Sequence, residues 1–252
     1  MTYIEGFVIA VPMTNKDKFL AHAAYVDPAF IDHGATRVVE TWQDHVEKGQ
    51  HTDFFRAVSA QDDEAVAFAW IEWPDKTARQ AVMTRVDELM KSDVRFNPES
   101  HPAPFDGKRM IYGGFETIVE HGEHVDDSYV QGFLIPVAES KKKAYRKMAN
   151  DVWPMFQEYG ALRVIETWQD DVPEGKQTDF FRAVKAGPGE SVVFSIMEWP
   201  SREVCQAAHG RMQTDERMRM PPDAEMPFDG KRMVYGGFVP VLDLSRPLVM
   251  GE

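Results

Sequence analysis

Glu40, Glu72 and Arg56 are the side chains of this sequence with the clearest chemical potential, because each recurs 126 residues later, as Glu166, Glu198 and Arg182. A carboxyl group in apolar surroundings serves as a general acid or base, and a guanidinium clamps an anion through parallel hydrogen bonds. Strand alternation sets Glu40 on a face with Val38 and Trp42, Arg56 with Phe54 and Val58, and Glu72 with Phe68 and Trp70. Turned toward a partner sheet, those faces would carry charge into an apolar interior, which is costly unless the charges are paired. Two readings follow. Cross-strand Glu–Arg pairs would fix strand register and depress the glutamate pKa values. A ligand pocket would use Arg56 and Arg182 on an anion and leave at least one glutamate with a raised pKa. The candidate binding set is Glu40, Trp42, Arg56, Glu72, Glu166, Trp168, Arg182 and Glu198, with no residue singled out as catalytic.

Recurrence also removes candidates. His22, His33, His45 and His51 stand opposite Met148, Tyr159, Asp171 and Gln177, so a duplicated histidine site is not expected. His121 and His124 have ligand-like spacing but lie in the connection between repeats and read as solvated; no metal or cofactor is expected. Cys205 is the sole cysteine and faces Arg79, which excludes an intrachain disulfide. Trp73 and Trp199 recur as strand-end packing. The Phe-Asp-Gly-Lys-Arg segment at 105–109 lacks the glycine spacing of a phosphate loop and reads as a turn.

The elements that must position these residues are themselves duplicated. Between residues 37–58 and 163–184, 16 of 22 positions are identical. Each copy reads as strand, helix, three strands, helix, strand. The strands fall at 3–12, 37–44, 52–59 and 66–73 and in the segment after 110, and a hairpin joins the second to the third. Pro28 and Pro154 sit inside the first helical pattern and predict a kink or a break. Residues 66–71 and 192–197 are apolar on both alternate faces, so both faces must be covered. The helices of one copy protect one face, and the sheet of the other copy is left to protect the second. The domains are expected at 1–119 and 128–241, joined by a polar linker over 120–127, with an unmatched tail from Leu242.

A net charge of −13 opposes nucleic-acid binding, and Lys141, Lys142 and Lys143 read as a solvated helix face. The sequence contains no long apolar run and no signal-like start, so a cytoplasmic address without membrane contact is expected. If the halves satisfy each other, the chain is an internal pseudo-dimer running as a monomer, with homodimerisation through outer strands left open.

The motifs Gly6-Phe7-Val8, Arg-Val-Val-Glu-Thr-Trp (37–42), Thr-Asp-Phe-Phe-Arg-Ala-Val (52–58), Glu72-Trp73-Pro74 and Pro-Phe-Asp-Gly-Lys-Arg-Met-x-Tyr-Gly-Gly-Phe (104–115) resemble the YbaA-like bacterial family, domain of unknown function 1428. The resemblance implies an α+β chain of two ferredoxin-like βαββ(β)αβ domains, packed sheet to sheet as an intrachain dimeric α+β barrel. It implies no activity. Three functions are carried forward: a small-molecule binder with its pocket in or near the barrel, a cofactor-independent oxygenase or isomerase by superfamily analogy, and an interaction protein using its strand edges.

Overall fold

In the computed structural model, which describes residues 2–218 and 225–245, the first repeat opens with β1 (Tyr3–Pro12), α1 (Lys16–Val26), α2 (Pro28–Asp32) and β2 (Arg37–His45). It continues through α3 (Phe54–Ala57), β3 (Glu64–Trp73), α4 (Lys76–Met83), α5 (Val86–Ser92) and β4 (Ile111–Gly122). The second repeat follows as β5 (Tyr129–Ala138), α6 (Lys142–Glu158), β6 (Arg163–Asp171), α7 (Phe180–Ala183), β7 (Glu190–Trp199), α8 (Arg202–Thr214) and β8 (Val234–Ser245).

The two sheets do more than face each other. β2 pairs with β8 and β4 pairs with β6, so the eight antiparallel strands close into one barrel in the order β1-β3-β2-β8-β5-β7-β6-β4. Closure gives each of these strands a partner on both sides. Among the described residues, no helix is long and apolar enough to cross a membrane.

The barrel interior is filled with aromatic rings. Phe68 stacks on Phe194, its counterpart in the other repeat, at 4.5 Å between centroids, and Phe54, Phe115, Phe180 and Phe238 pack around them. A Cβ on Gly6 would lie 2.7 Å from the Phe194 ring, and one on Gly132 would lie 2.8 Å from Phe68. Each glycine makes room for the other repeat's ring. The interior is therefore core, and of a pocket expected in or near the barrel only a place near it is left.

Residues 52–59 and their counterparts are not strands. Asp53 accepts a hydrogen bond from the Arg56 backbone N–H at 2.8 Å and caps the short helix α3, and Asp179 caps α7 in the same way. Phe54 and Ala57, one helical turn apart, are the buried pair. Phe54, Arg56 and Val58, which a strand would set on one face, do not share one here: Phe54 and Val58 are buried and Arg56 is exposed. β3 pairs directly with β2 instead, Arg37 opposite Glu72.

The faces of β2 are also reversed from expectation. Val39 joins the barrel core, while Val38, Glu40 and Trp42 look outward beneath the helices. Each face of β2 mixes apolar and polar side chains, Val38, Glu40 and Trp42 on one and Arg37, Val39, Thr41 and Gln43 on the other, so alternation had no means of saying which one looks in. The recurring prolines diverge: Pro28 starts α2 after a one-residue interruption at Asp27, whereas Pro154 is accommodated inside an unbroken α6. β4 and β8 run past the expected domain ends, to Gly122 and Ser245; the rest of the tail lies outside the described residues.

Candidate functional site

The recurring charges separate into two centres. At the barrel end where β3 finishes, Arg37 donates to Glu198 at 2.7 Å and to Glu72 at 3.2 Å, while Arg163 grips both oxygens of Glu72 at 2.8 Å. Each arginine thus binds the glutamate of the opposite repeat. Asp243 takes a second pair of bonds from Arg37, at 2.9 and 2.7 Å, and Glu120 takes one from Arg163 at 2.7 Å. Trp70 Nε1 and Ser128 Oγ complete the shells of Glu72 and Glu198, and His124 Nδ1 lies 2.7 Å from Glu198. Burial works against ionisation of both glutamates. The facing guanidiniums, with His124 on Glu198, overcome it: Glu72 lies below the ordinary carboxylate range and Glu198 falls to about 2. This is the register-fixing ion pair, built with Arg37 and Arg163 and not with the arginines singled out from sequence.

Arg56 and Arg182 are half-exposed and turn back on their own loops, donating to the Gly49 and Gly175 carbonyls at 2.6 Å. They are not placed as anion clamps. Trp42 and Trp168 lie on the helix side, each with a lysine, Lys16 or Lys142, 5.1 Å above its ring.

The second centre is a cavity of about 140 Å³ between the first repeat's sheet and α1–α2. Its walls are mainly apolar, with Phe7, Ile9, Phe19, Phe30, Phe105 and Met110 among them. Three polar side chains reach it: His22 from α1, Asp27 from the break between helices, and Glu40 from β2. His22 Nδ1, Asp27 Oδ2 and Glu40 Oε2 are buried without a hydrogen-bond partner in the protein. Such atoms are rare in folded proteins, and three on one cavity need an explanation. Burial raises the Asp27 pKa to about 7, and burial together with the Asp27 charge pushes Glu40 well above the usual carboxylate range. The Asp27 charge bears on Glu40, so the two do not titrate independently. Burial, aided by His101 stacked 5.0 Å away, lowers the His22 pKa and keeps its ring neutral.

In the second repeat the equivalent carboxyl has partners. Tyr145 stands where the first has Phe19, and its hydroxyl donates to Glu166 Oε2 at 2.6 Å. Ser195, in place of Ala69, adds a hydrogen bond to the same carboxyl, and Trp153 and Met148 replace Asp27 and His22. Burial still lifts Glu166 to about 7 against both hydrogen bonds.

Of the candidate set, then, Glu72 and Glu198 meet in the ion cluster, Glu40 alone lines the cavity, and Glu166 is bonded to Tyr145. Sequence comparison missed Asp27 and His22 because it discarded whatever was not duplicated. It missed Glu120 and Asp243 because it placed them in a linker and an unmatched tail. They are equivalent strand residues on equivalent arginines, and the return of register at offset 123 after Pro104 was the signal. His121 and His124 point to different partners, Asn150 and Glu198. No group of three or more His, Cys, Asp or Glu side chains among the described residues is placed to hold a metal ion.

A sequence profile of the family described as "Protein of unknown function (DUF1428)" matches residues 2–107 and again 128–230. The chain belongs to this family. As a DUF1428 protein it is similar to the "Uncharacterized protein YbaA" of Escherichia coli (strain K12), 54% identical over 115 residues, which are 46% of this chain and 97% of that protein. The YbaA of Shigella flexneri matches to the same extent. Solved structures share the fold over nearly the whole chain. A "putative monooxygenase" from Lactobacillus acidophilus NCFM has a TM-score of 0.56 at 9% identity, with 97% of this chain and 96% of that one covered. A "putative monooxygenase (FN1347)" from Fusobacterium nucleatum subsp. nucleatum ATCC 25586 gives 0.57 at 8%, covering 97% and 94%. An "anthrone oxidase-like protein" gives 0.51 at 10%, covering 98% and 94%. At these identities the likeness shows the fold alone: two ferredoxin-like halves in a dimeric α+β barrel.

Proposed function

We propose that this DUF1428 protein binds a small organic molecule in the first repeat's cavity and moves a proton on it, with Glu40 and Asp27 as the acid/base pair. The observation that carries the reading is the coincidence of three unpartnered buried polar atoms on one apolar-walled cavity. Two neighbouring carboxyl groups with raised pKa values, one ionised and one protonated, supply one proton acceptor and one proton donor. In the step that fits, an acidic C–H bond of the substrate breaks, its electron pair stays as an enolate, and the proton passes to the ionised carboxylate. Return of a proton to a different carbon completes an isomerisation and leaves the pair as it began.

An oxygenase is the second reading. What favours it is that two proteins of this fold carry "monooxygenase" in their names and a third is called "anthrone oxidase-like". The same anion would then meet dioxygen as co-reactant, and oxygen consumption separates the two readings.

The test is solvent deuterium exchange into a panel of small enolisable ketones, followed by proton NMR. The wild-type protein is expected to speed exchange of at least one member, and Glu40→Gln to lower that rate by about 10²-fold or more. Exchange no faster than in buffer across the panel, or equal rates in wild type and variant, contradicts the reading.

A further inference from the structure

The duplication supplies an internal guide to what the open site binds. Glu40 and Glu166 are equivalent, on equivalent strands, opposite Ala69 and Ser195. At Glu166 the Oε2 atom accepts a hydrogen bond from a phenol, the Tyr145 side chain, which is itself buried and packed edge-on to Phe228. At Glu40 the same Oε2 atom is buried with no partner, because Phe19 keeps the ring and lacks the hydroxyl. Phe105, the counterpart of Phe228, packs edge-on to Phe19 in the same manner. The aromatic frame is thus common to both repeats, and the first lacks both hydroxyl donors that the second presents to its carboxyl, beside a cavity.

We infer that the first repeat's cavity takes a ligand with a single aromatic ring and a phenolic hydroxyl, which donates to Glu40 as Tyr145 donates to Glu166. Size agrees, since a dry cavity of about 150 Å³ admits benzene and this one measures about 140 Å³. Polarity agrees as well: a hydroxyl satisfies the stranded carboxyl oxygen, while His22 and Asp27 offer further partners to ring substituents. Sequence carries the discrimination in two positions. Phe19 and Ala69 withhold the hydroxyls that Tyr145 and Ser195 present in the second repeat, and so leave the carboxyl for the ligand. The inference rests on the cavity being the functional site, and it names the chemical class the site accepts.

The experiment titrates the full chain with 4-fluorophenol and, separately, 4-fluorotoluene, followed by fluorine NMR. The methyl probe matches the phenol in shape without the donor. The wild-type protein is expected to bind 4-fluorophenol at least tenfold more tightly than 4-fluorotoluene, because only the phenol satisfies the buried oxygen. Phe19→Tyr is expected to weaken 4-fluorophenol binding tenfold or more by supplying the hydroxyl from within. Ala69→Ser, a smaller change that keeps every ring in place, is expected to weaken it several-fold. Equal affinities for the two probes, no binding of either, or wild-type phenol affinity in both variants would overturn the inference. Phenol discrimination without deuterium exchange leaves this inference standing and removes the proton-transfer reading. Exchange into a ketone with no preference for the phenol does the reverse.

Discussion

Phe68 and Phe194 stack at 4.5 Å with their rings nearly parallel, at 4°, although they come from opposite halves of the chain. Truncating either ring opens a cavity where both repeats meet. Phe68→Ala is expected to cost about 3–5 kcal/mol, the usual range for a large aromatic in a close-packed core. Gly6→Ala drives a methyl into the Phe194 ring at 2.7 Å, and overpacking of this kind costs roughly 1–3 kcal/mol. Urea unfolding of both variants measures these losses; a change under about 1 kcal/mol in Phe68→Ala would mean that the interior is not shared core.

The ion cluster predicts a marked asymmetry between breaking it and replacing it. Removing one partner, as in Arg163→Ala, takes both short bonds from Glu72, leaves it only the longer ones from Arg37 and Trp70, and is expected to cost about 3 kcal/mol. Replacing Arg37, Glu72, Arg163 and Glu198 together by Met or Leu of similar volume is expected to cost far less than the sum of the single changes, as buried ionic groups usually behave. Additive losses in urea unfolding would count against the cluster acting as one unit.

Stability is expected to fall on both sides of a mildly acidic optimum. Glu72 and Glu198 have folded pKa values below their unfolded ones, so their contribution is present above pH ~4.3 and is lost as pH falls toward about 2 for Glu198. Asp27, Glu40 and Glu166 have raised values, so theirs is complete below pH ~4 and is lost as pH rises through about 7 for Asp27 and Glu166. His124, raised by its bond to Glu198, acts in the same direction: its contribution is present below pH ~6.5 and declines above. Unfolding free energies from pH 5 to 8 should therefore fall in the wild type. The slope should be shallower in Asp27→Asn/Glu40→Gln; an unchanged slope would mean that these carboxyls titrate normally.

Closure of the barrel within one chain predicts a particle of one chain mass, 28.7 kDa, in light scattering. A mass twice that would show that the sheet pairing does not exhaust the association of this fold.

Sequence comparison was informative where both repeats solve the same problem. The recurrence from Arg37 to Val58, and the strands with two apolar faces, led correctly to paired sheets inside one chain. Direction is where it was silent: Glu40 and Glu72 share the expectation of an inward face only if their faces turn to the partner sheet, and only Glu72 does, because both faces of β2 mix apolar and polar side chains. Thr52 to Val58 misled because a capped single turn and a short strand share composition. The site was least legible. It depends on Asp27, His22, Phe19 and Ala69, which is to say on where the repeats differ, and similarity between copies is blind to such positions.

The central claim, that Glu40 is a buried acid awaiting a partner, is tested most directly by titrating its side-chain carboxyl by carbon-13 NMR in the wild type and in Asp27→Asn. The account predicts a midpoint well above the ordinary ~4.3, falling when the Asp27 charge is removed. A midpoint at the ordinary value, unmoved by that substitution, would contradict it.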